Sequence, residues 1–344
     1  MAPGCALEPR FRLVKILLGS HHFLPSMGGI ETASNLLARE FVALGHDVHV
    51  ITQTEGGGSF PFPVVRRPGP FALWRQVRWC DIFLQNNISL RTLWPLLFLR
   101  RPLFIAHQTW IANSDESTGW RHRLKQLVLR RATSLAISRA IAEHLSTPSI
   151  QVGNPYDDEV FMDAPSGPRP KELIFAGRLV SDKGANLLLE AMALLEAKPR
   201  LTIAGGGPER EHLENQAAEL GLQTGVEFVG PQSGHQLAEL LRQHQILVVP
   251  SRWREPFGIV ALEGIACGCV VVGSAEGGLA EAIGPCGLTF PNGDARALAD
   301  ILGRLLTNPR ECDRLRQNAE AHLARFTPRQ VAAVYLSAME QAPR

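Results

Sequence analysis

The sequence predicts an α/β protein built from two doubly wound domains, and three observations lead to this prediction. Short apolar runs rich in β-branched residues alternate with helical segments along the chain, as expected for buried parallel strands and their connecting helices. The alternation falls into two halves, each with a glycine-containing loop after its first strand. The length of 344 residues suits two domains, and 45% hydrophobic with 20% charged residues suit folded cores.

The first half begins with a strand at 13–18, a loop that ends in Gly28 and Gly29, and a helix to about Leu44. Together with a strand at 48–51 this forms a β-α-β unit, the architecture of a mononucleotide-binding half. Glycines let a backbone approach a ligand closely, but these two lack the three-glycine spacing of dinucleotide sites. They therefore indicate either a ligand loop or an ordinary tight turn. The rest of this half contains predicted strands at 81–84, 103–106 and 134–137 and helices at 121–131 and 138–145.

His107 stands where the strand at 103–106 ends and is followed by Gln108. A single histidine in a loop often has no chemical task. Ligands of open α/β sheets bind at the carboxyl ends of strands, however, and this position makes His107 a candidate site residue.

The chain between the two halves loses its periodicity at 157–171, a segment with four prolines or glycines. Such a composition is typical of a linker. We therefore predict a first domain at 1–156, a second domain at 172–327, and a C-terminal helix at 328–344.

The second half contains two basic residues five positions apart, Arg178 and Lys183, between its first strand and first helix. Basic side chains beside a helix N-terminus can hold a diphosphate, although two solvated residues in a turn would look the same. Predicted strands lie at 173–176, 201–204, 226–229, 246–249 and 270–272, and predicted helices at 185–195, 209–219 and 329–340.

The stretch from 250 to 263 carries the strongest signal, because it follows a buried strand and opens a helix. Pro256 suits the first turn of that helix, with Glu255 just outside it and Glu263 two turns further in. Carboxylates can bind hydroxyls while free backbone amides face an anion, and a nucleotide sugar offers both features. Acids that merely favour the helix dipole are the alternative. The amides concerned are those of Phe257, Gly258 and Ile259.

The residues Glu-Pro-Phe-Gly-Ile-Val-Ala-Leu-Glu at 255–263, followed by Ala-Cys-Gly-Cys-Val-Val-Val at 266–272, resemble glycosyltransferase family 4. The resemblance runs from about Val14 to about Phe326. It implies the GT-B fold, in which two Rossmann-like domains face a central cleft and the last helix crosses back to the first domain. It also implies a retaining enzyme that binds its nucleotide-sugar donor on the C-terminal domain and its acceptor on the N-terminal domain.

The resemblance also implies roles for individual residues. Arg178 and Lys183 match the pair that neutralises the leaving diphosphate, and Gly28 and Gly29 match the loop that faces the donor phosphates. Family members carry a histidine that contacts the donor sugar at the position of His107, but they commonly have an aspartate where this chain has Gln108. The implied catalytic residues are Glu255, Arg178, Lys183 and His107. The implied donor-binding residues are Gly28, Gly29, Arg178, Lys183, Glu255, Phe257, Gly258, Ile259 and Glu263.

The expected activity is metal-independent transfer of a hexose from a nucleoside-diphosphate sugar to a glycan, a lipid-linked acceptor or a small molecule. No cofactor is expected besides the nucleotide sugar as co-substrate, because the sequence has no Asp-x-Asp motif and no acidic or histidine cluster with ligand spacing. Two alternatives remain open. One is a different enzyme of the same fold, such as a sugar-nucleotide epimerase or a phosphorylase, and the other is a non-catalytic sugar-nucleotide-binding subunit.

The six cysteines form no spaced framework and the first residues lack an apolar core, which favours a cytoplasmic protein without a secretory signal.

The net charge of +2 hides a basic stretch at 61–142, with 13 Lys or Arg against 3 Asp or Glu. This stretch indicates peripheral contact with an anionic membrane, or a basic helix that packs into its own core. No nucleic-acid module is recognised. The stretch includes Leu124, Leu127 and Val128 as one helical stripe, flanked by Arg121, Arg123, Lys125, Arg130 and Arg131, and five tryptophans, Trp74, Trp79, Trp94, Trp110 and Trp120.

Overall fold

The computed structural model describes residues 13–26, 28–111, 120–163 and 169–341, without the side chains of residues 120–122. The chain divides into two compact units. Unit 1 comprises Met1–His107, Ala112–Leu135 and Ala332–Arg344, and unit 2 comprises Gln108–Ile111 and Ala136–Val331. The predicted linker at 157–171 overlaps residues 164–168, which lie outside the described part of the chain.

The first sheet has seven strands in the order β3-β2-β1-β4-β5-β6-β7. They are β1 (Lys15–Ser20), β2 (Asp47–Thr52), β3 (Val64–Arg66), β4 (Ile82–Asn86), β5 (Leu103–His107), β6 (Thr133–Ala136) and β7 (Ser149–Gln151). β1 is parallel to both β2 and β4, so the chain reverses its direction of winding between β1 and β4. The helices of this part are α1 (Gly29–Ala43), α2 (Pro70–Trp79), α3 (Leu90–Leu93), α4 (Trp120–Leu129) and α5 (Arg139–His144).

The second sheet has six strands in the order β10-β9-β8-β11-β12-β13. They are β8 (Lys171–Ala176), β9 (Leu201–Ala204), β10 (Val226–Gly230), β11 (His244–Val249), β12 (Val270–Ser274) and β13 (Gly287–Phe290). Neighbouring strands of this sheet are all parallel, and the winding reverses between β8 and β11. The accompanying helices are α6 (Ala185–Leu194), α7 (Arg210–Glu219), α8 (Gly234–Gln243), α9 (Ile259–Ala266), α10 (Leu279–Ile283), α11 (Ala295–Thr307), α12 (Pro309–Arg316), α13 (Ala319–Leu323) and α14 (Pro328–Gln341).

The central strands of each sheet are buried on both faces, which explains why they appear in the sequence as continuous apolar runs. In β1, Ile16, Leu17 and Leu18 are all fully buried, although consecutive side chains point to opposite faces. In unit 2 the core is formed by apolar residues of β8, β9, β11 and β12 with those of α6 and α11. The predicted fold class, an α/β protein with two doubly wound sheets, is therefore confirmed.

The helix after β11 begins later than the sequence predicts. Pro256 was expected in the first turn of a helix, but α9 begins at Ile259 with Gly258 as its N-cap. Pro256 lies before the helix, and its carbonyl oxygen accepts a hydrogen bond from the hydroxyl of Ser138 at 2.7 Å. A positive φ at Gly258 lets the chain turn into the helix only after three more residues, and a local pattern does not reveal this turn.

Within the described residues, no helix combines the length and the hydropathy needed to cross a bilayer. The apolar residues 92–99 belong to the short helix α3 and to a 3-10 turn at Trp94–Leu97.

Candidate functional site

The candidate site of unit 2 lies where the winding of its sheet reverses. β8 and β11 are neighbours, and Leu173 pairs with Ile246. The loop after β8 and the loop after β11 therefore leave adjacent strands at the same edge of the sheet. In open α/β sheets the helices on the two sides of such a reversal go to opposite faces, and ligands bind in the crevice between them.

The two loops are joined by backbone hydrogen bonds. The N–H groups of Arg252 and Trp253 both donate to the carbonyl oxygen of Asp182, at 2.9 and 3.1 Å. Gly184 has a φ of +71°, and a methyl group there would collide with the carbonyl oxygen of Pro250. The close approach of these loops thus depends on a glycine, and it fixes the position of Lys183 relative to Glu255.

Lys183 and Glu255 form an ion pair across the crevice. The Lys183 Nζ atom lies 2.6 Å from Glu255 Oε1, with the two side chains 26% and 10% exposed. The hydroxyl of buried Ser251 donates to the same oxygen at 2.7 Å. Glu255 is also held through its backbone, since its carbonyl oxygen accepts a hydrogen bond from Gly278 at 2.7 Å. One carboxylate oxygen is therefore bound twice, and the other can accept from a ligand hydroxyl.

Arg178 lies on the same loop as Lys183 but is held differently. The loop is fixed by its backbone, because Gly177 donates to Ala204 at 3.0 Å and Leu179 to Gly206 at 2.9 Å. The Arg178 side chain is exposed and has no hydrogen bond or ion pair with any described residue. A rigid backbone thus carries an uncommitted guanidinium, which suits recognition of an anion.

Phe257, Gly258 and Ile259 form the turn into α9. Phe257 is buried and packs against Phe326, with ring centroids 5.5 Å apart. Gly258 has a φ of +100°, a conformation that a side chain would strain, and Ile259 opens the helix. Phe257 therefore anchors the turn through its side chain, and any contact with a ligand would be made by backbone amides.

Glu263 lies in the second turn of α9 and is half-buried. Burial, and to a smaller extent the negative charge of Asp157, raises its pKa to about 7. A carboxyl group with such a pKa is protonated about half of the time at neutral pH. The structure therefore distinguishes Glu263 from Glu255, which is held by a cation.

Gly28, Gly29 and His107 lie in unit 1. Gly28 precedes α1 and Gly29 opens it, and both are exposed. His107 ends β5 and is buried, with Nε2 3.2 Å from the Ser134 hydroxyl. Burial lowers the pKa of His107 to about 4. The imidazole is therefore neutral at pH 7, so it can form hydrogen bonds without contributing a positive charge.

Two further contacts near the site have no counterpart in the sequence interpretation. One is the hydrogen bond from Ser251, which lies four residues before Glu255 across a tight loop. The other involves Trp110, whose indole N–H donates to the carbonyl oxygen of Arg254 at 2.6 Å. The Arg254 guanidinium lies 4.6 Å from the centroid of the same ring. The sequence signal for this contact was the position of Trp110, three residues after the end of β5. From the sequence, Trp110 was grouped with the other tryptophans of the basic stretch at 61–142.

Two cysteines directly after α9 belong to the core. Cys267 and Cys269 are buried, and burial raises the pKa of each thiol to about 12, as expected for small core residues. In the described part of the chain, no group of three or more His, Cys, Asp or Glu side chains could hold a metal ion.

Comparison with known proteins gives a family match for the second half of the chain. Residues 158–322 match the family model of glycosyl transferases group 1. The D-inositol 3-phosphate glycosyltransferase of Stackebrandtia nassauensis is 40% identical over 167 residues, which cover 44% of this chain and 38% of that protein. The enzyme of the same name from Frankia alni is 40% identical over 188 residues, covering 49% and 46%. The matched region thus spans less than half the length of these relatives.

Solved structures match over nearly the whole chain. The crystal structure of HepE from Anabaena in complex with UDP and glucose has a TM-score of 0.80 at 20% identity and covers 96% of this chain and 100% of that one. Sucrose-phosphate synthase from Thermosynechococcus elongatus has a TM-score of 0.81 at 23% identity, covering 96% and 99%. At these identities the likeness establishes the fold.

Proposed function

We propose that this chain is a retaining glycosyltransferase, because residues 158–322 match the family model of glycosyl transferases group 1 and the two doubly wound sheets have the GT-B fold. In this proposal it transfers a hexose from a nucleoside-diphosphate sugar to an acceptor without a metal ion. The observation that carries the proposal is the Lys183–Glu255 pair beside the uncommitted guanidinium of Arg178, at the winding reversal of the second sheet.

The chemistry of this pair fits a donor that has both a diphosphate and sugar hydroxyls. The ammonium of Lys183 has three donors, of which one is directed at Glu255, so the others can contact phosphate oxygens. As the glycosidic bond breaks, negative charge grows on the leaving phosphate. Arg178 and Lys183 would stabilise that charge in place of a metal ion, because cationic groups already in position cost no reorganisation.

Retention of configuration follows if bond breaking and bond making occur on one face of the sugar. The leaving phosphate oxygen takes the proton of the acceptor hydroxyl while that hydroxyl oxygen bonds to the anomeric carbon. Glu255 would hold a sugar hydroxyl, and neutral His107 would offer a hydrogen bond to the sugar. The family resemblance supports this assignment of roles.

Glu255 and Glu263 would read different parts of the donor. Glu255 lies in the crevice and would bind the sugar, whereas Glu263 lies deeper along α9 and would bind the ribose. Titration calorimetry with the sugar-free nucleoside diphosphate separates the two roles. Glu263→Gln should weaken this binding and Glu255→Gln should leave it nearly unchanged; an equal loss in both variants would contradict the division.

The donor base and the acceptor are part of the proposal as well. UDP is the first nucleotide to test, since HepE was crystallised with UDP. The acceptor proposed here is a glycan or a lipid-linked molecule, and the basic stretch at 61–142 supports contact of unit 1 with an anionic membrane surface.

A thermal-shift panel of nucleoside-diphosphate sugars tests the proposal without knowledge of the acceptor. The correct donor should raise the melting temperature in proportion to its affinity, and free UDP should do so less. Hydrolysis of the selected donor is then followed by NMR, with and without a chelator. We expect slow release of the sugar with its anomeric configuration retained and no effect of the chelator. Inverted product would exclude the retaining mechanism, and activity restored only by magnesium or manganese would exclude metal independence.

A further inference from the structure

Unit 1 contains a cavity of about 1050 Å³ at the end of its sheet opposite to His107. Its walls include Val14, just before β1, Asp81, just before β4, and Pro102, just before β5. These positions mark the amino ends of the strands, whereas His107 marks a carboxyl end. Five-residue strands such as β4 and β5 separate the two edges by roughly 17 Å.

Most of the residues that line this cavity are apolar, and charged residues make up much of the remainder. The connection between β4 and β5 contributes Leu93, Leu96 and Leu97, α4 contributes Val128, and α14 contributes Leu336 and Met339. The volume lies at the upper end of the range found for small-molecule sites. A cavity of this size and lining suits an aliphatic chain.

The polar groups at the cavity suit an anion. Arg100, Arg101 and Arg131 line it together with two acids, Asp81 and Glu340. Arg100 and Arg131 are exposed, and neither side chain has a hydrogen bond or ion pair with a described residue. Two guanidinium groups are therefore available to a ligand that carries negative charge.

His46 adds a second, independent indication of a ligand. It lines the cavity and is buried, and its Nδ1 accepts a hydrogen bond from the backbone N–H of Val14 at 3.3 Å. The ring proton is therefore on Nε2, which is buried without a partner in the described part of the chain. A buried donor without an acceptor is costly, and an oxygen atom of a ligand would satisfy it.

The surface beside the cavity is apolar and aromatic. Leu97, which lines the cavity, is 68% exposed, and Phe98 next to it is 70% exposed. Trp74 of α2 lies 6.0 Å from both Trp94 and Phe98, measured between ring centroids. Aromatic rings and exposed apolar side chains beside arginines are typical of a surface that enters the headgroup region of a membrane.

We propose that this cavity takes up an acyl chain of an anionic phospholipid when unit 1 contacts a bilayer, with the phosphate held by Arg100 and Arg131. The proposal rests on the membrane contact included in the proposed function and assigns its site. The lipid would serve as an anchor rather than as the acceptor, because the cavity opens at the edge of the sheet remote from His107.

Flotation with vesicles of phosphatidylcholine containing phosphatidylglycerol tests this site against a general basic surface. The double variant Arg100→Ser with Arg131→Ser should lower the partition coefficient about tenfold or more, because it removes both guanidinium groups that would hold the phosphate at the cavity. The matched control is Arg123→Ser with Lys125→Ser, which removes the same charge from exposed positions of α4 that do not line the cavity. We expect a loss of less than about threefold in this control.

Quenching of tryptophan fluorescence by phosphatidylglycerol with brominated acyl chains tests entry of the chain. Trp74 and Trp94 should be quenched on binding, and Leu97→Trp, which narrows the mouth, should weaken vesicle binding. Four results would each overturn the proposal. They are an equal loss of vesicle binding in both double variants, binding to neutral vesicles alone, no vesicle binding at all, and vesicle binding without quenching. The last outcome would mean that the cavity does not hold the acyl chain of the lipid. Calorimetry with UDP should give the same affinity in all these variants, so failure here is separate from failure of the proposed function.

Discussion

The carboxyl edges of the two sheets both carry glycine-containing loops, but the two loops meet different kinds of atoms. In unit 2, a methyl group at Gly184 would collide with the backbone carbonyl of Pro250. In unit 1, a methyl group at Gly28 would meet only the carboxylate of Glu31, which is the end of a flexible side chain. A side chain can turn away, whereas a carbonyl in a hydrogen-bonded loop cannot move without its neighbours.

This difference indicates that the edge of unit 2 is rigid and the edge of unit 1 is adaptable. A rigid edge suits a fixed task such as holding a diphosphate, because groups already in position stabilise developing charge without reorganisation. An adaptable loop suits a task in which the bound molecule differs between related proteins. Exchanging corresponding residues in the two units can therefore break or sharpen the comparison.

The largest effect is expected from Gly184→Ala. Left-handed backbone strain and the collision with Pro250 together should lower the free energy of unfolding by about 4 kcal/mol. The matched control is Gly28→Ala in unit 1, where the backbone is extended and the cost should stay below about 1 kcal/mol. Urea unfolding measures both. Similar losses in the two variants would remove the distinction between a rigid and an adaptable edge.

The next effect separates the two basic residues of unit 2. Lys183→Ala and Arg178→Ala should each reduce turnover about a hundredfold, by comparison with the loss of one oxyanion donor. Their effects on stability should differ. Lys183→Ala leaves Glu255 without its cation and should cost about 2 kcal/mol. Arg178→Ala removes an exposed side chain without partners and should change stability by less than about 0.5 kcal/mol.

Steady-state kinetics and urea unfolding of the same two preparations check this prediction. Near-normal turnover in both variants would contradict the diphosphate assignment. Equal destabilisation would contradict the ion pair as the feature that distinguishes the two residues.

A smaller effect concerns the pH dependence of stability. The pKa of Glu263 is raised from 4.5 to about 7, so the folded protein binds more protons than the unfolded chain between these values. The contribution of Glu263 to the free energy of unfolding is complete below pH 4.5 and is lost as the pH rises through 7. We expect the free energy of unfolding to fall by about 2 kcal/mol between pH 5 and pH 8. This is less than the full pKa shift implies, because the Glu263 side chain is half-buried.

Glu263→Gln provides the control for this prediction, because it removes the titrating group and keeps its shape. His107, whose pKa is lowered by burial, contributes with the opposite sign, since its stabilisation is lost on acidification. Both proteins retain His107, so it cancels in the difference between them. A difference in stability that does not vary with pH would show that Glu263 is ionised in the folded protein.

The smallest effect compares two serine–glutamate hydrogen bonds. In unit 2 the buried Ser251 donates to Glu255 at 2.7 Å, and in unit 1 the half-buried Ser26 donates to Glu31 at 3.3 Å. Ser251→Ala should cost about 1 kcal/mol of unfolding free energy, and Ser26→Ala less than about 0.5 kcal/mol. Ser251→Ala should also reduce turnover severalfold by loosening Glu255. Thermal unfolding and kinetics on both variants measure this, and a larger loss for Ser26→Ala would reverse the comparison.

Much of the fold could be predicted from local patterns. The strand at 201–204 was placed with its observed bounds, and most other strands within two or three residues, because a strand buried on both faces is an apolar run in the sequence itself. The elements that were not predicted include the short strands β3 and β13 and the helices α2, α8, α10, α11, α12 and α13. Three residues of β3 are too few for a pattern, and β3 exists because its neighbour β2 pairs with it.

The sequence by itself determined which residues could take part in the chemistry, since residue type and position after a strand are local properties. Arg178, Lys183, Glu255 and Glu263 were all selected in this way. Only the tertiary structure decided that Lys183 and Glu255, 72 positions apart, are paired at 2.6 Å. It also decided that Glu263 has a raised pKa while Glu255 has a cationic partner. The physical reason is that both outcomes depend on which strands become neighbours at the winding reversal, and strand order is set by packing of the whole sheet.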